Sequence, residues 1–178
     1  MSNELYNEKG REILSLNRGF RNLDVIWVHP ETGAKVFVGN QVAAKDSLLL
    51  KEKNIQRVVN CTKDIPLYHS SLSYFRFQIT SFYRMRDMDQ PGRAQAFFKD
   101  VFAFIDEAMA RGESVLIHCL AGAHRAGSTG IAWIMYKHQW GFEQSFEHIK
   151  TLRPIIRPLG MKELLLLLGK YTDSNKLQ

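Results

Sequence analysis

"SVLIHCLAGAHRAGST", residues 114–129, sets an apolar run of strand length against a short loop and then a helix-forming stretch, "STGIAWIMYKH". The order strand, loop, helix puts Cys119 at the carboxyl end of a buried strand, which is where open α/β sheets bind their ligands. Gly122 and Gly127 free the intervening backbone to curl. The N–H groups of Leu120, Ala121, Gly122, Ala123, His124 and Arg125 are then expected to converge on a nest for an anion, with the positive end of the following helix behind them. A cysteine in such a field is activated as its thiolate. Arg125, six positions after Cys119, carries a planar fork suited to two oxygens of a phosphate. The stretch therefore reads as a phosphate cradle with a nucleophile at its floor.

Working outward, strand and helix patterns alternate. "DVIWVH" and "KVFVG" flank "PETGA", whose Pro and Gly predict a hairpin turn. "NQVAAKDSLLLKEKN" has apolar residues at helical spacing behind Asn40 as a cap. "IQRVVNCT", "YFRFQI" and "VLIHC" predict three further strands, the last the most central. "AQAFFKDVFAFIDEAMARG" is an amphipathic helix stopped by Gly112, and prolines break the helices of the remaining chain. The alternation predicts an α/β fold, a mainly parallel sheet of about five strands flanked by helices. The three tryptophans, Trp27, Trp133 and Trp140, are expected in the core or at its edge.

With 178 residues and 45% hydrophobic content, one core is expected, spanning residues 25–172. Residues 1–24 are then an N-terminal extension and residues 173–178 a C-terminal tail, both loosely attached. The start of the chain has no apolar signal region, and no apolar run approaches the ~20 residues of a membrane span. A soluble protein of the cytoplasm is expected, with the nucleus as the second choice. Two cysteines, Cys61 and Cys119, are too few for a disulfide framework or a zinc site, so neither metal nor cofactor is expected. The net charge of +6 comes from scattered groups such as "KEK" and "RMR". They form no strip of the kind that marks a nucleic-acid surface, which points to a small anion as partner.

His118-Cys119, five residues, then Arg125 resembles the signature of the cysteine-dependent protein phosphatases. The flanks "KVFVGNQVAAKDSLLLKEKNIQRVVNCT", "AFFKDVFAFIDEAMARGESVLIHC" and "LRPIIRP" are similar to the compact dual-specificity branch, over about residues 36–168. The resemblance implies that Cys119 attacks phosphorus and forms a cysteinyl-phosphate, while Arg125 and the loop N–H groups bind the phosphoryl oxygens. It also implies an aspartate acid in "RMRDMDQPG". Asp89, which leads into the "QPG" turn, is the first choice and Asp87 the second. His118 is expected to hydrogen-bond and orient the loop, and Ser128 to cap or pack the helix. His124 is expected to face solvent as a filler. Arg84, Arg86, Arg153 and Arg157 are candidates for a positive rim, although Arg-Pro pairs at helix ends are as often structural. One departure stands out: the family usually has Ser or Thr after the arginine, and this chain has Ala126.

The implied substrates are proteins phosphorylated on tyrosine and on serine or threonine. The alternatives are a non-protein substrate, such as an RNA 5′ end or a phospholipid, or a phosphate-binding pseudophosphatase. The absence of lysine from the cradle loop argues against a highly charged inositol head group. Cys61 ends the strand "IQRVVNC" and is expected at the same sheet edge as Cys119, as a redox partner or as a small buried hydrophobe. The oligomeric state is left open.

Overall fold

The computed structural model describes residues 2–16 and 19–170, so the tail 173–178 lies outside the described residues. Five strands form one sheet: β1 (Leu23–Val28), β2 (Lys35–Gly39), β3 (Ile55–Asn60), β4 (Ser73–Arg76) and β5 (Ser114–His118), in the order β1-β2-β5-β3-β4. The β1–β2 hairpin is antiparallel and the other three pairings are parallel. β5 is central, as its unbroken apolar run implied. Its neighbours end in register with it, since His118 is paired with Gly39 on one side and Asn60 on the other. Three strands thus deliver their carboxyl ends to one edge.

Side-chain alternation separates two apolar layers across this sheet. Val36, Val38, Val115 and Ile117 face the larger one, built on α4 (Arg93–Ala110), α5 (Arg125–His138), α6 (Phe142–Leu152) and α7 (Lys162–Lys170), with Phe98, Ile105 and Trp133 at its centre. Phe37 and Leu116 point the other way, onto Leu50 and Val58. Each such side chain contributes about 1.5–3 kcal/mol on burial. Trp133 is buried in the larger core, and Trp27 and Trp140 pack at its edge.

Four local expectations are corrected. The helix foreseen over residues 40–54 is two, α2 (Gln41–Lys45) and α3 (Ser47–Glu52). Asn40 caps α2, but Asp46 is extended and its carboxylate accepts the Leu49 N–H, starting α3 afresh. α5 starts at Arg125 rather than at Ser128. The Ser128 N–H already donates to the His124 carbonyl at 2.8 Å, and the Thr129 hydroxyl to the Arg125 carbonyl at 3.0 Å. Gly127 therefore lies in the first helical turn, where a Cβ would stand 3.2 Å from Ile156. Its role is close packing. Finally, the start of the chain is not loosely attached: α1 (Asn3–Leu16) packs down with Tyr6 only 1% exposed.

Candidate active site

Between β5 and α5 the loop is fixed by what its carbonyl groups do. Five consecutive carbonyls are turned outward to the scaffold. That of Leu120 accepts the Gln41 N–H at 3.0 Å. Those of Ala121 and Gly122 accept the Arg153 guanidinium at 3.3 and 2.8 Å. Ala123 accepts the Arg157 N–H at 3.1 Å, and His124 the Ser128 N–H. With the oxygens held outside, the amide dipoles direct the N–H groups toward the middle of the loop, the geometry of an anion nest. Gly122 makes the curl feasible. Its φ is +67°, and a Cβ there would lie 2.4 Å from the Gly39 carbonyl oxygen.

Arg153, foreseen as a rim group or a structural one, is structural. It is fully buried, grips the loop from behind, and reaches Asp24 at 2.6 Å and the Arg21 carbonyl at 3.2 Å. Arg157 is exposed, as are Arg84 and Arg86. His124 is not a solvent-facing filler. It is buried, and its Nδ1 donates to the Arg157 carbonyl at 2.9 Å, tying loop to following segment. Burial, with Arg125 and Arg157 nearby, lowers its pKa despite that bond. Neutral tautomer and tie are thus consistent.

His118 also departs from expectation. Neither ring nitrogen finds a hydrogen-bond partner of regular geometry. Burial, only partly countered by the Cys119 backbone, pushes its pKa down to about 4. Its contribution to the loop is its carbonyl, which accepts the Cys61 N–H at 2.8 Å. That bond and the Asn60–His118 pairing bring the two cysteines out side by side, both free thiols. Burial pushes the Cys61 thiol up, and its sulfur is 3.4 Å from the Thr129 hydroxyl. Ala126 and Ser128 are fully buried in the first turn of α5, so Ser128 packs and does not cap.

The two aspartates lie on the exposed turn between a 3-10 helix (Ile79–Arg84) and α4. Asp87 has a left-handed backbone, φ 60°, and its carbonyl accepts the Gln90 N–H at 3.1 Å. Among the described residues no group of three or more His, Cys, Asp or Glu is placed to hold a metal.

Two residues absent from the sequence reading meet at Arg125, and a third lies behind them. The Arg125 Nη1 donates to the Asn3 carboxamide oxygen at 2.8 Å and its Nη2 to that of Asn7 at 2.7 Å. The NH2 groups of both asparagines in turn donate to Asp64, at 3.3 and 2.8 Å. Burial alone raises the Asp64 carboxyl, but these bonds more than offset it and leave its pKa below the ordinary range. The signal was a stripe at positions 3, 6, 7, 10 and 13, one face of a helix. Because that face is Asn, Tyr, Asn, Gly, Ile, hydropathy does not reveal it.

The family model for the dual specificity phosphatase catalytic domain matches residues 36–170. The chain belongs to the dual specificity phosphatase family. It is 29% identical over 124 residues to protein phosphatase Slingshot of Drosophila melanogaster, covering 69% of this chain but 11% of that protein. It is 27% identical over 162 residues to dual specificity protein phosphatase 1 of Arabidopsis thaliana, covering 87% and 77%. Among solved structures, that of DUSP15 superposes with a TM-score of 0.64 at 26% identity, over 80% of this chain and 86% of that one. No helix among the described residues is long and apolar enough to cross a membrane.

Proposed function

We propose that this dual specificity phosphatase domain hydrolyses phosphotyrosine and phosphoserine or phosphothreonine in proteins through a cysteinyl-phosphate intermediate. The observation that carries the reading is the outward fixing of five consecutive carbonyls between Cys119 and Arg125, which leaves the loop's donors for a phosphoryl group. The Cys119 sulfur attacks phosphorus, the bond from phosphorus to the leaving oxygen breaks, and Asp89 gives that oxygen its proton. Asp87 is the alternative donor. Arg125 and the N–H groups of Leu120, Ala121, Gly122, Ala123 and His124 hold the equatorial oxygens as charge grows on them. Water then displaces the sulfur and releases inorganic phosphate.

The protein setting is preferred over an RNA 5′ end or a phospholipid because the cradle offers one arginine and no lysine for further phosphates. Cys61 enters the reading as a packed thiol, since burial holds it protonated. A Cys61–Cys119 bridge found by peptide mapping after peroxide would give it a redox role instead. We place the enzyme in the cytoplasm, where both thiols stay reduced.

The test is turnover of a phosphopeptide panel beside a triphosphate RNA and a phosphoinositide. Hydrolysis of the peptides in EDTA, blocked by vanadate and abolished in Cys119→Ser, is the expected result. Activity on the RNA or lipid alone would move the substrate class, and full activity in Cys119→Ser would remove the mechanism.

A further inference from the structure

The N-terminal helix does more than cover a surface. Cys119 is 2% exposed and Arg125 1% exposed, yet a phosphoester must touch both. What lies on Arg125 is α1. The oxygens of Asn3 and Asn7 accept from its two terminal nitrogens, and the Tyr6 ring stands 5.7 Å from the guanidinium carbon. One turn further along, Gly10 lies against Leu120, the first loop residue after Cys119, so closely that a Cβ would be 3.2 Å from the leucine Cδ2.

The carboxamides are aimed, not incidental. An asparagine can present either end, and here Asp64 takes both NH2 groups, which turns both oxygens to Arg125. Asp64 itself sits on a braced loop. The Asn60 side chain donates to the Ile65 carbonyl and accepts from Thr62, while Arg76 donates to the carbonyls of Thr62, Lys63 and Ile65. Tyr6 fixes the helix in its first turn, its hydroxyl donating to the Leu159 carbonyl at 2.7 Å. Two neutral oxygens held in a fork against the phosphate-binding arginine are a stand-in for two phosphoryl oxygens.

We infer that α1 is an intramolecular substrate mimic, an autoinhibitory helix whose Asn3 and Asn7 occupy Arg125 until an incoming phosphate displaces them. The inference rests on the reading of the loop as a phosphate site. It requires that ligand and helix compete: a site free only a tenth of the time binds its ligand about tenfold more weakly than the bare site.

Full-length wild type is compared with Asn3→Ala/Asn7→Ala, which removes the two acceptors, and with Gly10→Leu, which wedges the helix off Leu120. Vanadate binding is measured by calorimetry, and hydrogen exchange of residues 3–16 is followed with and without vanadate. Both variants should bind vanadate about tenfold or more tightly, and vanadate should speed exchange of α1 in the wild type. Unchanged affinity in the double variant overturns the inference. Weaker affinity does so too, since the asparagines would then position Arg125 for its ligand. The double variant leaves the helix backbone intact and decides the matter if Gly10→Leu fails to fold. Tightened vanadate binding without hydrolysis by any form would keep the mimic and sink the hydrolase reading. Hydrolysis by the wild type with affinities unmoved would do the opposite.

Discussion

The Nε of Arg153 lies 2.8 Å from the carbonyl oxygen of Gly122, so a side chain from beyond α6 holds the cradle by its outer wall. The same guanidinium is paired with Asp24 on β1. Replacing it with Met strips the Ala121 and Gly122 carbonyls of their donor and leaves Asp24 only Arg21 at 3.6 Å, and breaking such a buried pair costs about 3–5 kcal/mol. Arg153→Met should lower stability by that order in urea unfolding. Arg153→Lys keeps a charge but not the fork, so it should cost less stability while still weakening vanadate binding. Vanadate affinity at the wild-type level in Arg153→Lys would show that the loop holds its shape unaided.

For the acid, Asp89→Asn should slow hydrolysis of a poor leaving group by about 10²–10⁴-fold and that of an activated aryl phosphate much less. Asp87→Asn should be close to wild type, because asparagine also tolerates the left-handed backbone found there. The opposite pattern hands the role to Asp87.

Ala126 is fully buried at the second position of α5, where a serine hydroxyl would sit next to Arg125. Without that hydroxyl, breakdown of the cysteinyl-phosphate is expected to limit turnover. Rapid mixing with an activated aryl phosphate should give a burst of product, and Ala126→Ser should raise the steady rate. A linear time course with no gain in the serine variant would put the slow step at phosphoryl transfer.

His118 makes stability depend on pH. Its pKa falls from 6.5 to about 4 on folding, so between those values the unfolded chain binds the proton and the native one does not. Stability is fully present above pH 6.5 and is lost as the pH falls to 4, by about 3 kcal/mol from this group. The difference in unfolding free energy between wild type and His118→Gln should change by that order across the window. A constant difference would mean that His118 titrates normally.

The sheet, its central strand and the place of Cys119 were legible because they rest on apolar runs ending at one edge. The split of residues 40–54 was not, since Asp46 sits between Val42-Ala43-Ala44 and Leu48-Leu49-Leu50 at good helical spacing and only its own capping bond interrupts them. Gly127 looked like a loop residue by composition, yet it lies in the first turn of α5 with Ile156 packed close against it. Arg153 could be seen as a boundary residue but not aimed, because its partners on β1 and in the cradle are more than thirty positions away. The helix over the site was hidden for a related reason. Its contacts with Arg125 are polar, and hydropathy reads only the apolar ones.

That polarity has a consequence of its own. A segment that docks through leucines leaves a sticky surface behind whenever it detaches, and detachment then invites aggregation. The inner face of α1 offers two carboxamides and a glycine beside Tyr6 and Ile13, the isoleucine packed on Ala121, Ala123 and Ile155. The part of that face on Arg125 can be wetted on both sides after parting, and water replaces each lost hydrogen bond. The seam is built for repeated opening.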